Sequence, residues 1–79
     1  MKVRVLFFGA TAAAVGKRET FIELGPNSKV ATALDSVLKN YPTLESHKLL
    51  FSINEEYVKP DTRLSDGDDL AVFTPVSGG

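Results

Sequence analysis

Few residues of this chain could do chemistry unaided. Its 79 residues include no cysteine and a single histidine, His47, which stands in a polar stretch with no nucleophile beside it. Thiolate nucleophiles, disulfides and thiolate metal sites are thereby excluded, and so is a centre built from several histidines. Neither the phosphate loop G-x-x-x-x-G-K-[ST] nor G-x-G-x-x-G occurs. Asp66, Asp68 and Asp69 crowd together but lack the D-x-[DN]-x-[DN]-G spacing of a calcium loop, so they read as a solvated turn. Lys17-Arg18 and Lys48 read as surface charge, at most a basic spot for an acidic partner.

What remains is the end, Thr74-Pro75-Val76-Ser77-Gly78-Gly79. At ordinary glycine usage, a terminal pair arises by chance in about 0.5% of chains. A segment without side chains can thread a narrow channel and lets a reagent approach its carboxylate closely. The Gly79 carboxylate is then the distinctive reactive group of the molecule. A carboxylate is a poor acyl donor until its oxygen becomes a leaving group, and phosphoryl-type activation by a partner enzyme would supply that.

The elements that must position this end belong to one small domain. Hydrophobic residues make up 43% and charged residues 24%, ordinary globular values that argue against disorder. Nine basic residues against ten acidic leave a net charge of −1, so no basic field is available for nucleic acid or a membrane surface. The uncharged stretch 5–16 is interrupted by Gly9 and Thr11 and is too short to span a membrane. Its alternating start reads as a strand rather than a secretory signal, and a cytoplasmic location is expected.

Residues 2–8 alternate as a strand, with Val3, Val5 and Phe7 on one face and Arg4, Leu6 and Phe8 on the other. A short helical turn over 11–15 would be capped by Thr11 and ended by Gly16. Residues 19–24 form a second strand, broken by Gly25-Pro26-Asn27. Val30, Ala33, Leu34, Val37, Leu38 and Tyr41 recur with helical period behind the N-cap candidate Ser28, and Pro42 stops the helix. Residues 43–48 read as loop, 49–53 as a strand, and 54–56 as a tight turn into a short strand at 57–58. A connector over 59–65 and the turn Asp66-Gly67 lead to a last strand at 69–74. The order gives an α+β domain over 1–74, a mixed sheet with one amphipathic helix on one face, followed by a flexible tail over 75–79.

The segment from Leu64 to Gly79, LSDGDDLAVFTPVSGG, resembles the L-x-D-G-D-E-[VL]-A-x-x-P-P-V-S-G-G signature of the molybdopterin synthase small subunit, the MoaD-type sulfur carriers. Val5-Leu6-Phe7-Phe8-Gly9-Ala10, Gly16 and the segment 53–58 (INEEYV) match that family too, so the resemblance covers essentially the whole chain. It implies a ubiquitin-like β-grasp fold and a carrier of sulfur. In that family an E1-like partner adenylates the terminal glycine with ATP, and sulfur replaces the activated oxygen to give a thiocarboxylate. The tail then enters the large synthase subunit and donates sulfur to precursor Z (cyclic pyranopterin monophosphate), forming the molybdopterin dithiolene. By position, Gly79 would carry the adenylate and then the thiocarboxylate, and Gly78 would let the tail thread. The resemblance implies no cofactor bound by the chain itself and no catalysis by the chain alone. Thr74 stands where the family has a first proline, leaving the tail's root less constrained, and Asp69 replaces a glutamate with its charge kept.

The residues also locate a partner surface. If the helix covers the face of Val3, Val5, Phe7, Leu70 and Val72, then Leu6, Phe8, Ala71 and Phe73 lie uncovered beside the tail. Aromatics there suggest a docking patch, continued by Pro75, Val76 and Ser77; a second minor core under a loop is the alternative. Two close relatives of the main reading share the Gly-Gly end: a thiamin-pathway sulfur carrier and a ubiquitin-related modifier. Val76-Ser77 and Asp66-Gly67-Asp68 favour the molybdopterin pathway. An interaction module with an inert tail is the alternative of a different class.

Overall fold

A computed structural model of the chain describes residues 1–75. Strands β1 (Lys2–Phe7), β2 (Glu19–Glu23), β3 (Leu50–Ile53), β4 (Glu56–Val58) and β5 (Asp69–Phe73) form one sheet in the order β2-β1-β5-β3-β4. The two central strands, β1 and β5, run parallel; their neighbours pair antiparallel. The sheet is therefore mixed, as expected.

Helix α2 (Val30–Asn40) lies over one face. Beneath it Val3, Val5, Phe7, Leu70 and Val72 are buried, and Val30, Ala33 and Val37 meet them from the helix. Alternation on the strands and the helical period of α2 thus select the same core. Tyr41 leaves the helix in a non-helical conformation before Pro42, and its ring meets Phe7 edge-on at 5.8 Å.

Three local expectations are corrected. Ser28 does not cap α2; its hydroxyl donates to the Gly25 carbonyl. The first N–H groups of the helix are satisfied instead by the connector, Val30 N–H donating to Thr62 O and Ala31 N–H to Pro60 O, both at 2.9 Å. A helix end needs acceptors, and here the backbone supplies them. Residues 43–48 are not simply loop: Pro42–Ser46 form a 3-10 helix that places Leu44 fully inside the core. The connector also contributes Leu64, which is buried. Finally, Thr11 does not cap α1 (Ala10–Val15), whose cap position is Gly9; Thr11 lies inside the first turn and is fully buried. Gly16 ends α1 as expected, in the left-handed conformation at φ 79°.

Candidate functional site

The face of the sheet opposite α2 carries, in neighbouring rows, Phe21, Arg4 and Asp69, then Glu19, Leu6, Ala71, Ser52 and Tyr57, then Phe73 and Leu50. Strand alternation dictates this set, because each residue is one step out of phase with a buried neighbour. The expected pairing of Leu6, Phe8, Ala71 and Phe73 on one face is found. Phe8 is 53% exposed and Phe73 half-buried, whereas Ala71 is buried, its methyl group being short enough to sink between Leu6 and Ser52 on the flanking strands.

Phe8, Gly9, Phe73, Thr74 and Pro75 line one shallow depression where β5 ends. This is the root of the C-terminal segment, with Pro75 exposed. Val76, Ser77, Gly78 and Gly79 lie outside the described residues. Two local devices fix the root. The Thr11 hydroxyl accepts the Phe8 N–H at 3.0 Å and lies 2.8 Å from the carbonyl oxygens of both Phe8 and Val72, which share its single proton. Gly9, at φ 54°, turns the chain from β1 into α1 in a conformation few other residues take without strain. The Asn54-Glu55 loop joins β3 to β4 with both residues at positive φ, 48° and 72°, as a two-residue hairpin of the primed type requires. Asn54 then ties that hairpin to β5: its side-chain oxygen accepts the Asp69 N–H at 3.2 Å, and its own N–H donates to Asp69 O at 3.0 Å.

The hairpin brings in a residue that sequence reasoning missed. Tyr57, 78% exposed, sits against Phe73 with ring centroids 5.7 Å apart. Two periodicities would have found it: a two-residue turn at 54–55 puts Tyr57 opposite Ser52, which shares a face with Ala71. The patch is thus Leu6, Phe8, Tyr57 and Phe73.

Charge borders it. Arg4 grips Asp69 through two parallel bonds, Nε to Oδ1 at 2.9 Å and Nη2 to Oδ2 at 2.8 Å, and its Nη1 lies 3.5 Å from Glu19 Oε2. The hydrogen bonds from Arg4 hold the Asp69 carboxyl below its ordinary value, against a smaller opposing effect of desolvation. The same bonds raise the Arg4 guanidinium further. The neighbouring acids of the turn are engaged as well, Asp66 Oδ1 by the Lys2 N–H at 2.7 Å and Asp68 Oδ2 by the Ser65 N–H at 2.8 Å. Those bonds serve the turn that Gly67, at φ 86°, closes.

An exposed aromatic surface thus surrounds the departure point of the chain end, and known proteins show the same arrangement of chain. The molybdopterin synthase sulfur carrier subunit of Chlamydomonas reinhardtii is 34% identical over 83 residues, covering all of both chains. Among solved structures, SAMP1 of Haloferax volcanii superposes with a TM-score of 0.90 at 27% identity, again covering both chains completely. Subunit 1 or 2 of the molybdopterin-converting factor complex of Helicobacter pylori superposes at 0.72 with 26% identity over the full length of each chain. The fold is the ubiquitin-like β-grasp. The family model described as "ThiS family" matches residues 5–79, and the chain belongs to that family.

Proposed function

We propose that this protein is the sulfur carrier of a molybdopterin synthase. The observation that carries the reading is the aromatic patch Leu6, Phe8, Tyr57 and Phe73 beside Pro75, at the root of a segment that ends in Gly78-Gly79. It is supported by relatives named as such carriers and by a similar chain in a solved complex of two molybdopterin-converting factor subunits. In this reading the patch docks first on an E1-like enzyme and then on the large synthase subunit, presenting the tail to each.

The chemistry takes place on the Gly79 carboxylate. One carboxylate oxygen attacks the α-phosphorus of ATP in the E1-like enzyme, releasing pyrophosphate and leaving an acyl-adenylate. A sulfur nucleophile attacks the acyl carbon, AMP departs, and a thiocarboxylate results. On the large subunit this sulfur passes to precursor Z as the dithiolene of molybdopterin forms, and water returns the carrier to its carboxylate. The chain binds no cofactor in this scheme and works in the cytoplasm, where ATP and its partners are found. In this scheme Pro75, Val76 and Ser77 contact the partner, and Gly78 supplies the narrow approach.

Deleting Gly79 tests this. It is expected to leave the melting temperature almost unchanged, because chain ends make few contacts, and to abolish sulfur transfer in the reconstituted synthase. Retained activity would reject the carrier reading. A second reading is favoured by the likeness to SAMP1, a small archaeal modifier protein: the activated Gly79 could pass to a lysine amine. Isopeptide conjugates in place of thiocarboxylate would select it.

A further inference from the structure

We infer that the outer edge of β2 takes up an extended basic segment of a partner protein by strand addition, along a sheet edge that adjoins the aromatic patch where Glu19 pairs with Leu6. This inference does not depend on the carrier chemistry.

Strand β2 is an edge strand, and among the described residues no strand pairs with its outer side. Its hydrogen bonds to β1 follow the register Val5 to Thr20 and Val3 to Ile22, flanked by Phe7 N–H donating to Arg18 O and Leu24 N–H to Met1 O, each at 2.8 Å. In an antiparallel pair these directions alternate, so the N–H and C=O groups of Glu19, Phe21 and Glu23 face away from the sheet. Those outward groups form the row that an added strand would use.

The side chains of the same three residues stand on the open face, in the order acid, aromatic, acid. Phe21 is 54% exposed. Two local cations reach this row, yet neither forms an ion pair with Glu23. The Lys2 ammonium sits over the Phe21 ring, 4.7 Å from its centroid, and Arg4 spends its paired donors on Asp69, reaching Glu19 only at 3.5 Å. Arg18 falls on the opposite face by alternation. Glu23 is exposed and has no cation within salt-bridge distance among the described residues.

This pattern decides between occupants. A second copy pairing about a two-fold axis at Phe21 would set Glu19 directly against Glu23 of its partner, twice. Directly opposed like charges destabilise a strand pair, so this pairing of two copies is disfavoured. A segment with Lys or Arg opposite Glu19 and Glu23, and an apolar residue opposite Phe21, is complementary in charge, shape and backbone bonding.

The test uses the isotope-labelled full chain and a probe peptide, acetyl-Lys-Thr-Val-Thr-Lys-amide. Amide shifts and slowed exchange are expected at Glu19, Phe21 and Glu23, weakening as salt is added. Binding should fall about tenfold when glutamate replaces both lysines of the peptide. N-methylating the amides of the peptide that face the ladder should abolish it. The double variant Glu19→Lys/Glu23→Lys should invert the preference between the two peptides; Glu23→Gln, a milder change, should weaken binding of the lysine peptide. No shift at these three amides, or equal binding of the N-methylated peptide, would overturn the proposal. So would self-association of the unmodified chain through this edge at neutral pH, since a second copy would then be the occupant.

Discussion

The hydroxyl of Thr11 lies 2.8 Å from the carbonyl oxygen of Val72, a residue 61 positions further along the chain. This contact joins the first helix to the last strand one residue before Phe73, and its partner bond to the Phe8 N–H fixes the other aromatic of the root. One buried side chain therefore sets the geometry of both.

Replacing Thr11 by valine keeps the shape and removes the hydrogen bonds. The Phe8 N–H, in a partly buried bond, and the Val72 carbonyl, in a buried one, lose that partner, which costs about 1–3 kcal/mol. Urea unfolding should show that loss, and amide shifts should concentrate at Phe8, Gly9 and Val72. Unaltered stability would show that the hydroxyl merely fills space.

Leu44 makes a second stability prediction. It is fully buried although it lies on a five-residue 3-10 helix. Leu44→Ala should cost roughly 2–5 kcal/mol, the range for emptying a core leucine site. Exposed Glu45 on the same turn should tolerate alanine within about 0.5 kcal/mol. Equal effects of the two substitutions would mean that the turn does not belong to the core.

The proposed docking patch should separate binding from folding. Phe8→Glu places a charge on a side chain that is already 53% exposed, so circular dichroism should be unchanged. Affinity for the large subunit should fall by tenfold or more, about 1.4 kcal/mol, as loss of a central aromatic contact does. Tyr57→Ala should act in the same direction. An unfolded Phe8→Glu variant would place Phe8 in a core instead.

How much of this was legible in the sequence follows from the range of each interaction. The face containing Val3, Val5 and Phe7 was readable because strand alternation is local, and α2 because its period is. Thr11, Leu44 and Leu64 were not: each is buried by contacts with segments remote in sequence, which no local pattern reports. Ser28 does not act as the cap because the acceptors for Val30 and Ala31, Thr62 and Pro60, lie 32 and 29 positions further along the chain. Tyr57 was reachable, given the register through the Asn54-Glu55 turn. The Arg4–Asp69 pair was not, since it depends on the parallel pairing of β1 with β5.

That pair carries a pH dependence with a definite sign. Asp69 has its carboxyl lowered from 3.8 by the bonds from Arg4. A carboxyl lowered on folding contributes stability that is present above its ordinary value and is lost as pH falls through the lower folded one. Carboxyl chemical shifts followed by acid titration should therefore show Asp69 titrating below 3.8. Arg4→Gln should return it towards that ordinary value. An Asp69 titration unaffected by Arg4→Gln would contradict the assignment.

The central claim concerns the chemical state of Gly79, and intact mass spectrometry reads it directly. The chain is incubated with its activating enzyme, ATP and a sulfur source, then digested to isolate the last peptide. The account predicts a peptide heavier by one exchange of sulfur for oxygen, reverting on hydrolysis and absent from a chain extended beyond Gly79. An unchanged final peptide, while an established carrier is converted in the same mixture, would contradict it.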